Sequence, residues 1–171
     1  MKSFKQDIDE MKQLVEFLEE DIDNIQRVIE FCERKDLDVD FEVHAKAETC
    51  EESAEHSPVS IDQITKTLVF IAGEEPVAVL CPGNRSVSEE KLEEALDGEA
   101  RMADPEEVED ATGYPIGAVS PFDLEIETIM EEKLLEKDEI RPAAGSRAVG
   151  ADLDPEKLAE AIGATVEDVS R

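Results

Sequence analysis

The chain has 171 residues, with 46 Asp and Glu against 17 Lys and Arg, and a formal net charge of -29. Because 40% of the residues are apolar, the acidity sits on a foldable background of one domain and a small extension, not on a disordered tail. Adhesion to DNA or acidic lipid through bulk charge is excluded. No apolar run reaches the roughly 18 residues of a membrane helix, and residues 1–7 show no apolar signal core.

The acid is spread along the chain instead of being gathered at one end. This points to a cytoplasmic, halophilic protein, since salt near 1 M shortens the Debye length to about 3 Å from about 10 Å at 0.1 M. The alternative is an acidic interaction face at ordinary salt. Cys32, Cys50 and Cys81 are an odd number without paired spacing, as expected in a reducing compartment.

Residues 4–32 carry the most regular pattern. Phe4, Ile8, Met11, Val15, Leu18, Ile22, Ile25, Ile29 and Cys32 follow alternating steps of four and three, the 3.5-residue period of a coiled-coil seam. As one helix the segment is about 45 Å long at 1.5 Å per residue. In a parallel pair Asp7 of one copy would face Lys12 of the other. Leu14 and Val28 widen the stripe, as packing on a globular body requires, and Asp21-Ile22-Asp23-Asn24 could divide the run into two helices with an Asp cap. A homodimer through this segment and a helix or hairpin packed on its own domain both fit.

From residue 39 the period changes to two. Strands are expected at 39–44, 66–72 and 76–81, the last two joined as a hairpin by Gly73-Glu74-Glu75. A short helix is expected at 49–56. Ser86-Val87-Ser88-Glu89 is a capping box for a helix at 89–96, and 100–103 reads as a short strand. Asp104-Pro105-Glu106-Glu107 and Asp154-Pro155-Glu156 repeat one helix start, an Asp cap followed by proline. Residues 113–121 form a Gly/Pro loop. Strands at 124–130, 140–143, 147–149 and 164–166 and a helical turn at 131–135 complete the chain. Short strands mixed with short capped helices define an α+β fold with a mixed sheet. The expected division is residues 1–35, the helical extension, and 36–171, the main domain.

His44, Cys50, His56 and Cys81 lack zinc-site spacing and no Cys-x-x-Cys occurs, so no metal is expected. A Cys50–His56 nucleophile pair has no supporting pattern. Cys32 and Cys81 read as small core residues. No phosphate-binding glycine fingerprint is present and no cofactor is expected. Lys66, opening an apolar strand, could hold a phosphate, a carboxylate or a nucleic-acid terminus, or could simply be an exposed strand-end lysine. The glycines of 113–121 let backbone N–H groups approach a ligand.

Ile64-Thr65-Lys66-Thr67-Leu68-Val69-Phe70 resembles the lysine-bearing strand of the YbaK/prolyl-tRNA synthetase-associated editing domains. Cys81-Pro82-Gly83-Asn84-Arg85-Ser86-Val87 is similar to their PG(D/N)RxV turn, and Ala103-Asp104-Pro105-Glu106-Glu107-Val108 with Thr112-Gly113-Tyr114-Pro115 to their helix and TGY start. Gly117-Ala118-Val119-Ser120-Pro121 fits their GxxxP loop, and Ala143-Ala144-Gly145-Ser146-Arg147 their carboxy-terminal turn. The resemblance covers residues 39–171.

It implies a mixed, barrel-like sheet with flanking short helices, and trans-editing hydrolysis of a small amino acid, such as Cys or Ala, from the 3′ end of tRNA(Pro). By position, Lys66 and Gly117 would be catalytic and Thr67, Ser120, Pro121 and Gly145 would bind substrate. Aminoacyl-tRNA is the implied partner, with a synthetase as a second. Two positions depart from the cysteine-specific pattern: Ala143 replaces a serine and Gly150 an aspartate. The amino acid therefore stays open, and so does a non-catalytic module that binds aminoacyl-tRNA or a synthetase, with the helix as its docking element.

The net charge of -29 opposes tRNA binding wherever charges are unscreened. Weak or absent tRNA binding at low salt is the expected result in a filter-binding titration against KCl. Hydrolysis that is fast at low salt and suppressed in molar KCl would contradict the high-salt account.

Overall fold

The computed structural model describes residues 3–44 and 59–171; the short helix expected at 49–56 lies outside them. Helix α1 spans Phe4–Arg34 and starts in a capping box, with Ser3 and Gln6 each accepting the other's backbone N–H. It passes through Asp21–Asn24 as one helix, without the break those residues allow. The reason is tertiary: Leu18 and Ile25 on one side, then Val28, Phe31 and Cys32, pack into the main core, and packing outweighs weak helix propensity. Along the rest of the helix Phe4, Met11, Val15 and Ile22 remain exposed.

The sheet is built around a hairpin. Strand β1 spans Asp40–Val43, β2 Ile64–Ala72 and β3 Glu75–Pro82. β2 and β3 pair antiparallel, with Lys66 opposite Cys81, across a turn in which Gly73 takes φ +65°. Helix α2 (Glu89–Leu96), strand β4 (Ala100–Met102) and helix α3 (Pro105–Thr112) follow. The Asp104–Glu107 capping box and Pro105 start α3 as the sequence requires. Strand β5 (Glu127–Glu131) leads into a 3-10 turn at Glu132–Glu136, then β6 (Arg141–Ser146), β7 (Val149–Asp152), helix α4 (Pro155–Ile162) and β8 (Thr165–Glu167).

The strand order is β1-β7-β6-β2-β3-β5-β8, with β4 paired to β2. β2–β6, β3–β5 and β5–β8 are parallel and the other pairs antiparallel. The fold is α+β with a mixed sheet whose path has two ends, β1 and β8, and does not close among the described residues. Both faces of the β2–β3 hairpin are covered, which explains its continuous apolar runs. On β3, Leu80 enters the main core with α1, whereas Val77 and Val79 enter a second cluster with Phe70, Leu92, Ile129 and Val169. This is the period-two division of a strand.

Most strand boundaries shift by one or two residues from the sequence expectation, and the larger differences have a tertiary cause. β5 begins at Glu127 instead of 124, because Asp123 turns to φ +61° and its side chain accepts from Arg27 and Arg34 of α1. The strands expected at 140–143 and 147–149 are the longer pair β6 and β7, with an irregularity between Ala143 and Ser146. Gly145 creates it: at φ +84°, a Cβ there would lie 2.6 Å from the Asn24 backbone of α1. Helix and strand approach too closely for any side chain. No described helix is long and apolar enough to cross a membrane.

Gly145→Ala adds both a left-handed backbone penalty and a backbone clash. An expected loss of about 2–4 kcal/mol of stability is checked by urea unfolding of the variant against the parent chain.

Candidate functional site

The β2–β6 junction lines a cavity of about 430 Å³, a size ordinary for a small-ligand site. Its walls include residues 64–69 of β2, Gly83 after β3, Met102 at the end of β4 with Ala103 after it, Ile116, Gly117 and Val119 of the glycine loop, and Arg141, Ala143, Ser146, Arg147 and Gly150 of the β6–β7 hairpin. Parallel pairing of Ile64 with Arg141 and Thr65 with Pro142 joins the two main walls. Ile116 and Gly117 are exposed and Arg147 is half-buried, so they form the mouth; Arg141, Ser146 and Gly150 are buried and form the floor.

Charge in this cavity runs against that of the chain. Lys66, Arg141 and Arg147 line it, with His44, and no described lining residue is Asp or Glu, although the sequence holds 46 of these. A concave, low-dielectric wall concentrates the field of such cations. By contrast, an open surface hollow is lined by Glu90, Glu93, Glu94, Asp97 and Glu99 with Gly98, and holds no cation.

Arg147 braces the mouth. Its Nη2 donates to the Ile116 carbonyl at 3.0 Å, and its guanidinium lies where a Cβ on Gly117 would be, 2.6 Å from Nε. Gly117 has φ +90°, so glycine is required here for both conformation and space. The loop is held from behind by α1. Arg27 Nη1 donates to the Thr112 carbonyl at 2.8 Å and its guanidinium stacks 4.3 Å from the centre of the Tyr114 ring. The buried Tyr114 hydroxyl donates to the Phe122 carbonyl at 2.8 Å, and burial raises its pKa.

The floor centres on Arg141, whose side chain is 2% exposed. Nε and Nη2 donate to the two oxygens of Asp152, and Nη2 also donates to Glu42 at 2.8 Å. These partners raise its pKa despite opposing desolvation. Among the described residues Nη1 is buried with no partner, and so is the Oγ1 of Thr67. An unpaired buried polar group costs about 1–3 kcal/mol. Gly150 makes room for this arginine: a Cβ at 150 would lie 2.7 Å from the Arg141 Cδ. The volume of the side chain missing from Gly150 is thus occupied by Arg141.

Of the residues singled out from the sequence, Lys66, Thr67 and Gly117 line the cavity together. Ser120, Pro121 and Gly145 are not among the lining residues. Ser120 is fully buried, donates to the Ala118 carbonyl and accepts the Gly145 N–H at 2.7 Å, tying the glycine loop to β6. The bare face of Gly145 is turned to α1. His44, which the sequence offered only as a metal ligand, reaches the cavity because β1 pairs with β7. Ser146 also lines it, with its hydroxyl accepting the Ala148 N–H at 3.1 Å.

Cys32 and Cys81 are buried, and burial pushes the Cys32 pKa up to about 11. Cys50 and His56 lie outside the described residues. The carboxylates of Glu131, Glu132 and Asp168 converge elsewhere, but Glu131 accepts the Val169 N–H and Asp168 pairs with Lys91.

Residues 44–161 match the model of the aminoacyl-tRNA editing domain family, and the chain belongs to that family. It is 32% identical over 122 residues to the uncharacterized protein YwhH of Bacillus subtilis (strain 168), covering 70% of this chain and 78% of that one. It is 39% identical over 94 residues to proline--tRNA ligase of Nitratidesulfovibrio vulgaris (strain DP4), covering 54% of this chain but 16% of the ligase. A crystal structure of a candidate trans-editing enzyme for prolyl tRNA synthetase superposes with a TM-score of 0.79 at 29% identity, covering 86% of this chain and 97% of that one.

The Gly150–Arg141 contact is directly testable. Gly150→Ala is expected to cost about 1–3 kcal/mol through overpacking, read as a lower denaturation midpoint with an unchanged m-value.

Proposed function

We propose that this editing domain acts in trans, hydrolysing the ester between a small amino acid, such as cysteine or alanine, and the terminal ribose of a misacylated tRNA(Pro). The observation that carries this reading is the cation-lined, carboxylate-free cavity in a chain of net charge -29. An anionic tRNA end finds there a concave place of matching sign, while the net charge of the chain opposes it.

In this reading the tRNA stays outside and the aminoacyl group enters. Lys66 and Arg147, nearer the mouth, hold the terminal phosphates. The GxxxP loop supplies a donor to the ester oxygen as negative charge develops there. The Ala118 N–H is already donated to the Pro115 carbonyl at 3.0 Å, so the Gly117 N–H takes this role, in a loop that Arg147 and Ser120 keep in place. The described lining residues include no carboxylate or cysteine to serve as base or nucleophile. As the resemblance implies, the attacking group in this reading is water or a group of the substrate itself, with the Thr65, Thr67 and Ser146 hydroxyls and His44 in the lining beside it. No cofactor takes part.

A second reading is a binding module that holds aminoacyl-tRNA or a synthetase without turnover. It is favoured by the wall at Ala143 and Gly150, which offers neither hydroxyl nor carboxylate. In both readings residues 1–35 are an added docking element. The exposed Phe4, Met11, Val15 and Ile22 would meet a second copy or a partner helix. We further propose that the protein works in a cytoplasm of high ionic strength, where screening removes the long-range repulsion of tRNA.

Lys66→Ala is expected to lower deacylation of Ala-tRNA(Pro) or Cys-tRNA(Pro) in molar KCl at least tenfold, an effect of about 1.4 kcal/mol or more on the barrier. Unchanged hydrolysis in this variant would remove Lys66 from the mechanism. A parent chain that binds an aminoacyl-adenosine analogue yet hydrolyses no charged tRNA would favour the binding module.

A further inference from the structure

Helix α1 is apolar on two faces. One face seats it on its own domain through Leu18, Ile25, Val28, Phe31 and Cys32. The other carries Phe4, Met11, Val15, Ile22 and Ile29, which are 36–79% exposed. At 3.6 residues per turn this second stripe stays within about 40° of one line along the helix, about a third of a turn away from Val28. The buried residues of α1 are Val28, Phe31 and Cys32, all in its last two turns, and none of residues 4–27 is buried. A helical half with so little tertiary support is marginal in water.

We infer that the stripe is occupied by α1 of a second copy of this chain, running antiparallel about a two-fold axis near residues 16 and 17. The stripe is complementary to itself when reversed. Phe4 lies opposite Ile29 of the second copy, Met11 opposite Ile22, and Val15 opposite the half-buried Leu18. These pairs of numbers share one sum, as a single antiparallel register requires, and the two-fold makes each contact twice. Charge fits the same reversal. On one flank of the stripe the first half of the helix carries Lys5 and Lys12, and the second half carries Glu19, Asp23 and Glu30. An antiparallel two-fold pair sets this flank against itself end for end. Lys12 of each copy then meets Glu19 and Asp23 of the other, and Lys5 meets Glu30, within one helical turn; such flanking pairs set the orientation of helix pairs. A parallel pair fits less well. It opposes Glu19 to Asp21 of the other copy, and it brings together the two domain-bearing halves of chains whose net charge is -29. The antiparallel pair keeps them apart. It also lays the unburied half of one helix along the half of the other that is seated at Gly145 and holds the glycine loop through Arg27, so each copy steadies the brace of its partner. This face lies outside the cavity, and the inference does not depend on the deacylase reading.

Two measurements on the full chain test it. In molar KCl, where long-range repulsion is screened, the parent chain is expected to sediment as a dimer. Ile22→Asp puts a charge at an exposed position outside the core and is expected to raise the dimer dissociation constant about tenfold or more. Orientation is read from cysteines oxidised with copper phenanthroline. Met11→Cys and Ile22→Cys together in one chain are expected to give a disulfide-linked dimer in several times the yield of the parent chain. Neither substitution alone is expected to do so, because each of these residues lies about 16 Å along the helix axis from its own counterpart, beyond the reach of a disulfide. Efficient cross-linking by either cysteine alone shows a parallel pair. A monomeric parent leaves the stripe to a helix of some other protein. An Ile22→Asp dimer as tight as the parent puts the contact on another surface. Each of these three results overturns the inference.

Discussion

The close seating of α1 on Gly145 is the contact on which the arrangement of the cavity depends. At that point the helix backbone replaces a side chain of β6, a distance that glycine alone permits. The approach brings Arg27 over Tyr114 and onto the Thr112 carbonyl, and it brings Val28, Phe31 and Cys32 into the core beside Tyr114, Phe122 and Ala144. The glycine loop and β6 are then joined through Ser120 and Gly145, and Arg147 closes the contact at the mouth. The whole of α1 precedes the segment that matches the editing family, yet its second half supports the loop at which ester chemistry is proposed.

The electrostatics have two scales. Over the surface, a charge of -29 makes long-range attraction to a polyanion impossible without screening. Inside the cavity, three cations and no described carboxylate reverse the sign locally. Salt weakens the long-range term far more than contacts made in a partly buried site. An acidic surface and a nucleic-acid substrate are therefore compatible when recognition is confined to the terminal nucleotide and its aminoacyl group. The pair of carboxylates on Arg141 offsets its charge, so the uncompensated positive charge of the cavity rests on Lys66 and Arg147.

Much of this was legible in the chain. Capping residues and prolines marked the starts of α2, α3 and α4, and the period-two runs marked β2 and β3, because these signals are local. The lysine strand and the glycine loop were legible as motifs, so Lys66, Thr67 and Gly117 could be grouped before their distance in space was known. Other features were not local. Asp21–Asn24 has the composition of a helix break, and the helix continues because neighbours from the core hold it. The longer β6–β7 hairpin depends on a bulge at Gly145 whose purpose lies across the molecule at Asn24. His44 and Arg141 carry no motif, since their place in the wall comes from the pairing of β1 with β7 and of β6 with β2.

By itself, then, the sequence determined an acidic α+β chain with a long amphipathic helix, the positions of most short elements, and membership of an editing family written in five ordered motifs. Composition and short-range spacing decide such properties, and both are readable along one dimension. The tertiary structure decided which charges face one another. It put Arg141 over Gly150 and turned Gly145 to the helix instead of the cavity. Those outcomes depend on close packing between segments a hundred residues apart, where a missing Cβ or a shared carboxylate has meaning only once the opposing segment is in place.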